Sequence, residues 1–147
     1  MIDRDRLDVG NLHRILGVAM AFVFVGTGAY MHFTLDHLAD MDDSQRMLFR
    51  SIHIYILLSS LVNFMLGIHY WVYPKKSLRA LQNVGSTLVA LSPILFVLGF
   101  FNEPWLDEWQ RPFSRSAIYA IAIGCLLHLV AFYWHYRLKG VPVSTDE

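Results

Sequence analysis

Cutting the chain at every Asp, Glu, Lys and Arg leaves four long uncharged windows: Ile15 to Leu35, Ser51 to Pro74, Ala80 to Asn102 and Ser116 to Tyr136. Each holds at least the roughly 20 residues that a helix rising 1.5 Å per residue needs to cross a hydrocarbon layer of about 30 Å. None shows the strict alternation of a membrane β-strand, and four strands could not close a barrel. The pattern predicts an all-α integral membrane four-helix bundle in a single domain, with spans of about 13–35, 48–73, 79–102 and 115–137. Local signals suggest where the helices open. Asn11 would cap the first, Asp43 or Ser44 the second and Ser77 the third, while Pro112 or Ser114 would open the fourth. Short connections favour an up-down-up-down order. Residues 140–147 read as a disordered tail, and Trp71, Tyr73, Trp105, Trp109, Trp134 and Tyr136 stand near span ends as an interfacial aromatic belt.

Composition agrees with a bilayer as the solvent, since 55% of residues are hydrophobic and 16% charged. Lipid is therefore the first expected partner. With zero net charge and no basic tract, nothing forms an electrostatic footprint for nucleic acid. Of the 12 basic residues, eight (Arg4, Arg6, Arg14, Lys75, Lys76, Arg79, Arg137, Lys139) fall on one side. Four (Arg46, Arg50, Arg111, Arg115) fall on the other. By the positive-inside rule both termini are expected in the cytoplasm, and the compact chain suggests a bacterial inner membrane. Asp36, Asp40, Asp42, Asp43, Glu103, Asp107 and Glu108 make the opposite loops net acidic. The first apolar run lacks a small-residue cleavage site and reads as a retained helix. The single cysteine, Cys125, lies in an apolar run and reads as a buried thiol.

Polar residues at membrane depth carry the candidate chemistry. At 100° per residue, His53, Ser60, Asn63 and Gly67 fall within about 80° of one another and form an inward stripe on the second helix. Gly17, Ala21 and Gly28 on the first helix, and Gln82, Ser86 and Pro93 on the third, read as packing faces, with a possible kink at Pro93. No acid or base stands near mid-span, which argues against a proton pump or a voltage sensor.

Seven histidines sort by depth. His13, His69, His128 and His135 lie towards the cytoplasm. The depths of His69 and His128 agree to about 5 Å, so His13, His69 and His128 are candidate axial ligands for a b-type haem. His53 lies about 160° around the second helix from His69, which disfavours two haems sharing that helix. His135, beside Trp134 and Tyr136, reads as an interfacial anchor. Towards the outside, His32, Asp36, His53 and Glu103 are a candidate set for zinc or another divalent metal. Arg50, Arg111 and Arg115 could instead pair with the acids there.

The segment Leu12-His13-Arg14-Ile15-Leu16-Gly17 resembles the His-Arg-x-Thr-Gly segment that opens the first helix of succinate dehydrogenase membrane-anchor subunits. The resemblance covers six residues and implies a quinone site and haem beside a soluble partner. Leu16 stands where that segment has threonine, and four windows stand where that family usually has three spans.

No serine-hydrolase elbow, zinc-protease, nucleotide or dinucleotide motif occurs, so an enzymatic reading has no positive support. The leading expectation is a non-enzymatic membrane protein that binds a partner or small ligand at its outer mouth through Arg50, His53, Asn63, Glu103 and Arg111. The alternatives are a haem b electron carrier and an oligomeric transporter or channel for a small solute or metal ion, lined by the polar stripe. A homo-oligomer or a larger membrane complex would be compatible with each.

Overall fold

The computed structural model of the chain describes residues 4–106 and 110–139. The expected tail, together with Asp107, Glu108 and Trp109, lies outside the described residues, as do the side chains of Arg4, Arg6 and Lys139. Within them the protein is an all-helical four-helix bundle: α1 (Arg4–Ala29), α2 (Asp43–Ile68), α3 (Lys76–Asn102) and α4 (Pro112–Lys139). Segments Val9–Thr34, Asp43–Ile68, Lys76–Trp105 and Pro112–Arg137 are long and apolar enough to cross a membrane.

Helix ends differ from the expected ones for identifiable reasons. α1 begins at Arg4, so Asn11 sits inside it and caps nothing. After Ala29 the chain makes one π-helical turn, Tyr30–Thr34, closed by the Leu35 N–H donating to the Tyr30 carbonyl at 3.2 Å. Asp36, His37 and Leu38 follow with φ of 43°, 57° and 64°. Three successive non-glycine residues in the left-handed region are costly, and burial of Leu38 in the core anchors the turn.

α2 is capped by Asp42 instead of Asp43 or Ser44. The Asp42 carboxylate accepts from the Gln45 N–H at 2.8 Å, and the Gln45 side chain reaches back to the Asp42 N–H. The Asp-x-x-Gln spacing of this capping box was legible in the sequence. Hydrogen bonds from the Gln45 backbone and the Ser44 hydroxyl hold the Asp42 carboxyl below its ordinary pKa. The cap therefore contributes fully above the usual aspartate range and is lost as pH falls through the lowered value.

α2 stops at Ile68, so residues 69–73, expected in the span, form part of the connection to α3. Pro74 disfavours a helical Tyr73 before it. Lys75 occupies the α3 N-cap without a side-chain bond, and Ser77 lies within the first turn. Pro112 opens α4, where its missing N–H costs nothing. The buried Glu103 carboxylate accepts from the N–H groups of Phe113 and Ser114, both at 2.7 Å, and caps that helix from a distance in sequence.

Small residues set which helices touch. A Cβ built on Gly17 would stand 2.7 Å from the Phe64 nitrogen, and one on Gly67 would stand 2.7 Å from the Gly10 carbonyl oxygen. α1 therefore lies with its backbone against α2. On the other side of the bundle, a Cβ on Gly124 would come within 2.8 Å of the Gly85 carbonyl oxygen, which brings α4 as close to α3. Such close approach is how helices gain dispersion contacts where lipid removes the hydrophobic drive. α2 and α3 join the two pairs through a core of Phe49, Ile52, Ile56, Phe96 and Phe100. Outward-facing Phe22, Phe33 and Leu129 are 73%, 79% and 64% exposed, as side chains in contact with acyl chains would be.

Gly17→Ala is expected to destabilise the protein by about 1–3 kcal/mol, because the new methyl meets backbone. Gly26→Ala is the control, since a Cβ there meets nothing within 4 Å. Thermal unfolding in detergent compares the two, and equal melting temperatures would remove the argument for backbone contact at Gly17.

Candidate functional site

Pro93 lies inside α3 and has no N–H, so the carbonyl of Val89 one turn earlier loses its helical partner. Asn63 of α2 supplies it: its Nδ2 donates to the Val89 oxygen at 3.1 Å and to the Ser59 oxygen at 2.9 Å, and the Ser92 hydroxyl adds a bond to Val89 at 2.9 Å. With both amide protons committed, Asn63 Oδ1 is the acceptor for His13 of α1, whose Nδ1 lies 2.8 Å away. That bond places the ring proton on Nδ1 and leaves Nε2, in the neutral ring, as an acceptor. His13 Nε2 is buried and has no partner among the described residues.

The remaining stripe on α2 also faces α1. Ser60 donates to the Gly17 carbonyl at 2.7 Å, Gly67 accepts from Arg14 Nε at 2.9 Å, and His53 Nδ1 lies 2.9 Å from the Thr27 hydroxyl, with its ring stacked on Phe24. The Thr27 proton goes to the Phe24 carbonyl, so His53 Nδ1–H is the donor to Thr27. Both His13 and Arg14 of the short resemblance segment thus tie α1 to α2.

A second polar group lies one layer away. His128 Nε2 of α4 is 3.2 Å from the Ser86 hydroxyl of α3, and Ser86 also hydrogen-bonds Tyr70. Ring centroids place Tyr70 6.2 Å from His13 and 6.4 Å from His128. Burial raises the Tyr70 phenol above its ordinary pKa, so the hydroxyl stays neutral.

This layer borders a cleft of about 940 Å³ between α2 and α4. Leu61, Val62, Met65, Leu129 and Phe132 make it apolar along its length. His69, Tyr70, Tyr73, Gln82, His128 and His135 add polar groups, and Cys125 is half-buried in its wall. Gln82 is 2% exposed; its Nε2 donates to the Trp71 carbonyl at 2.6 Å, while its Oε1 has no partner among the described residues. His69 Nδ1 donates to the Met65 carbonyl at 3.0 Å, which leaves its Nε2 as the acceptor nitrogen. A ligand-sized apolar pocket holding an unused acceptor can take a molecule with an apolar body and a hydrogen-bond donor at one end.

The residues expected to converge at the outer mouth are placed separately. Asn63 is bound to His13 and Val89, His53 to Thr27, and Glu103 to the start of α4. Arg111 lines a cavity between α2 and α4, and Arg50 a neighbouring one. Among the described residues the one ion pair is Arg46 with Asp43 at 2.9 Å, so Arg50 and Glu103 do not pair. Of the candidate metal set, His32 packs against His37 with ring centroids 4.0 Å apart, while His53 and Glu103 are engaged as above. No group of three or more His, Cys, Asp or Glu among the described residues could share a metal ion. Of the candidate haem ligands, His69 and His128 line the cleft, whereas His13 is enclosed beside it. Gln82 and Tyr70 both line the cleft, although helical spacing places Gln82 on a packing face and no sequence pattern marks Tyr70.

Comparison with known protein families, characterised proteins and solved structures finds no match to this chain. The class that fold and composition define is a helical protein with four segments suited to crossing a membrane.

Asn63→Ala is expected to cost about 1 kcal/mol, the usual worth of an interhelical hydrogen bond in a bilayer. Pro93→Ala in the same chain, which restores an N–H opposite the Val89 carbonyl, should recover part of the loss. Equilibrium unfolding of the four proteins in a mixed-micelle titration tests the coupling, and strictly additive effects would rule it out.

Proposed function

We propose that this is an integral protein of a bacterial inner membrane that binds a small lipid-soluble ligand without transforming it, in the cleft between α2 and α4. The chain runs up-down-up-down with both termini cytoplasmic. Support for the order comes from the pairings of His13 with Asn63, Thr27 with His53, Phe49 with Phe100 and Gly85 with Gly124. Support for the orientation comes from the eight-to-four division of basic residues. The ligand site moves from the outer mouth to the cytoplasmic end. Asn63 and His53 are spent on protein partners, and Glu103, whose Oε1 caps α4, lines neither the cleft nor the cavities of Arg50 and Arg111, while Gln82, with its unpartnered Oε1, lines the cleft.

That unused oxygen, buried on a residue that lines an apolar cleft, is the observation that carries the reading. Desolvating an acceptor without a partner costs about 1–3 kcal/mol, which a ligand donating to it would return. The polar stripe of α2 packs against α1, so the cleft and not the stripe is the route for a small molecule.

A second reading, haem b in the same cleft, has one specific observation in its favour: His69 presents Nε2 as a free acceptor, the tautomer an axial ligand needs. His128 would have to release Ser86 to serve as the other.

Solvent extraction and mass spectrometry of protein purified in mild detergent test the main reading. Wild type should carry a donor-headed lipophile enriched over bulk lipid. Gln82→Leu should lower it about three- to tenfold, the worth of one neutral hydrogen bond, and Val62→Trp, which fills the cleft, should abolish it. Identical profiles in all three folded proteins would sink it. A Soret band with α and β bands on dithionite reduction, lost in His69→Ala, would transfer the assignment to haem.

A further inference from the structure

The four basic residues of the outer end, Arg46, Arg50, Arg111 and Arg115, run against the charge pattern of the chain. Only Arg46 has an acidic partner among the described residues, Asp43. Arg111 and Arg115 follow one another by a helical turn at the start of α4 and line a cavity of about 450 Å³ that α2 closes from the other side. Ser51 and Tyr55 of α2 and Ser114 and Tyr119 of α4 add hydroxyl groups, while Met47, Ile52 and Ile118 make the rest of the wall apolar. Arg50 borders an adjoining cavity of about 440 Å³ that shares Met47 and Ser51 with the first.

The Arg111 Nε is shielded from solvent and has no hydrogen-bond partner among the described residues. A guanidinium nitrogen in that state lacks both water and an acceptor, which is unfavourable until an anion arrives. Two guanidinium forks one turn apart suit the oxygens of a phosphate group. Apolar wall residues beside them would have no role for a free inorganic anion but would contact the glycerol and first methylenes of a lipid. The cavity also sits towards the ends of two segments that are long and apolar enough to span a membrane, where headgroups would meet them in a bilayer.

We propose that Arg111 and Arg115, with Arg50 in the adjoining cavity, form a binding site for the phosphodiester headgroup of an anionic phospholipid. The site is separate from the cytoplasmic cleft and does not depend on the ligand assigned there. It would fix α2 and α4 to one another through a lipid at the end where protein contacts leave them apart.

Native mass spectrometry of the full chain, released from nanodiscs of mixed phosphatidylglycerol and phosphatidylcholine, counts retained lipid by headgroup. Wild type should retain phosphatidylglycerol in preference. The Arg111→Gln and Arg115→Gln double variant should lose that preference at least about tenfold, as expected for two charge-assisted contacts. Lys75→Gln with Lys76→Gln, which removes equal charge at the opposite end, should retain it. Ile118→Trp, which fills the cavity without changing charge, gives a second test if the arginine variant does not fold, and it too should lose the lipid. Equal loss in the lysine control would show general charge attraction and overturn the site. Complete displacement by millimolar inorganic phosphate would identify a free anion as the ligand and overturn the lipid assignment, as would retention in Ile118→Trp.

Discussion

A backbone carbonyl at membrane depth must find a hydrogen bond inside the protein, and Pro93 deprives the Val89 carbonyl of its own. The response organises the interior. Asn63 crosses from α2 to bond that carbonyl, which turns its amide oxygen towards α1, where His13 donates to it. One missing N–H on α3 is thereby linked through a single amide to the position of α1. Ser92 shares the load, so the carbonyl has two donors and the helix continues past the proline without a break.

Glycine contacts decide the rest of the arrangement. α1 is drawn onto α2 by Gly10, Gly17 and Gly67, and α4 onto α3 by Gly85 and Gly124. Each outer helix commits its small-residue face to one neighbour. α2 and α4 are then left facing each other across a gap, and that gap supplies both cavities of interest. At one end it holds the aromatic and histidine cleft over Gln82; at the other it holds the arginine cavity. Among the residues that line these spaces, Gln82 Oε1 and Arg111 Nε are buried atoms without a partner among the described residues, whereas the polar stripe of α2 has been consumed in joining helices. Function is therefore read from what packing leaves over.

His53, Ser60, Asn63 and Gly67 share one face by helical periodicity alone, and that face does turn inward. Their partners could not be deduced, since a periodicity argument gives direction and not distance. Arg50, Glu103 and Arg111 share one depth at the helix ends, which predicts convergence; the backbone N–H groups at the start of α4 take up Glu103 Oε1, and Arg50 does not pair with it. Asp42 and Gln45 spell a capping box in plain order, and Asp42 caps α2 in place of the expected Asp43 or Ser44.

By itself the sequence determined the number of apolar helices, because hydropathy over a window of about 20 residues is a local property set against a fixed bilayer thickness. It also determined the inward face of α2, which needs only the 100° step of the helix. Which helix meets which, where a gap remains, and which polar atoms end without a partner were decided by the tertiary structure. These depend on contacts between residues as far apart as His13 and Asn63 or Ser86 and His128, and on glycine backbones approaching closely enough to exclude a methyl group.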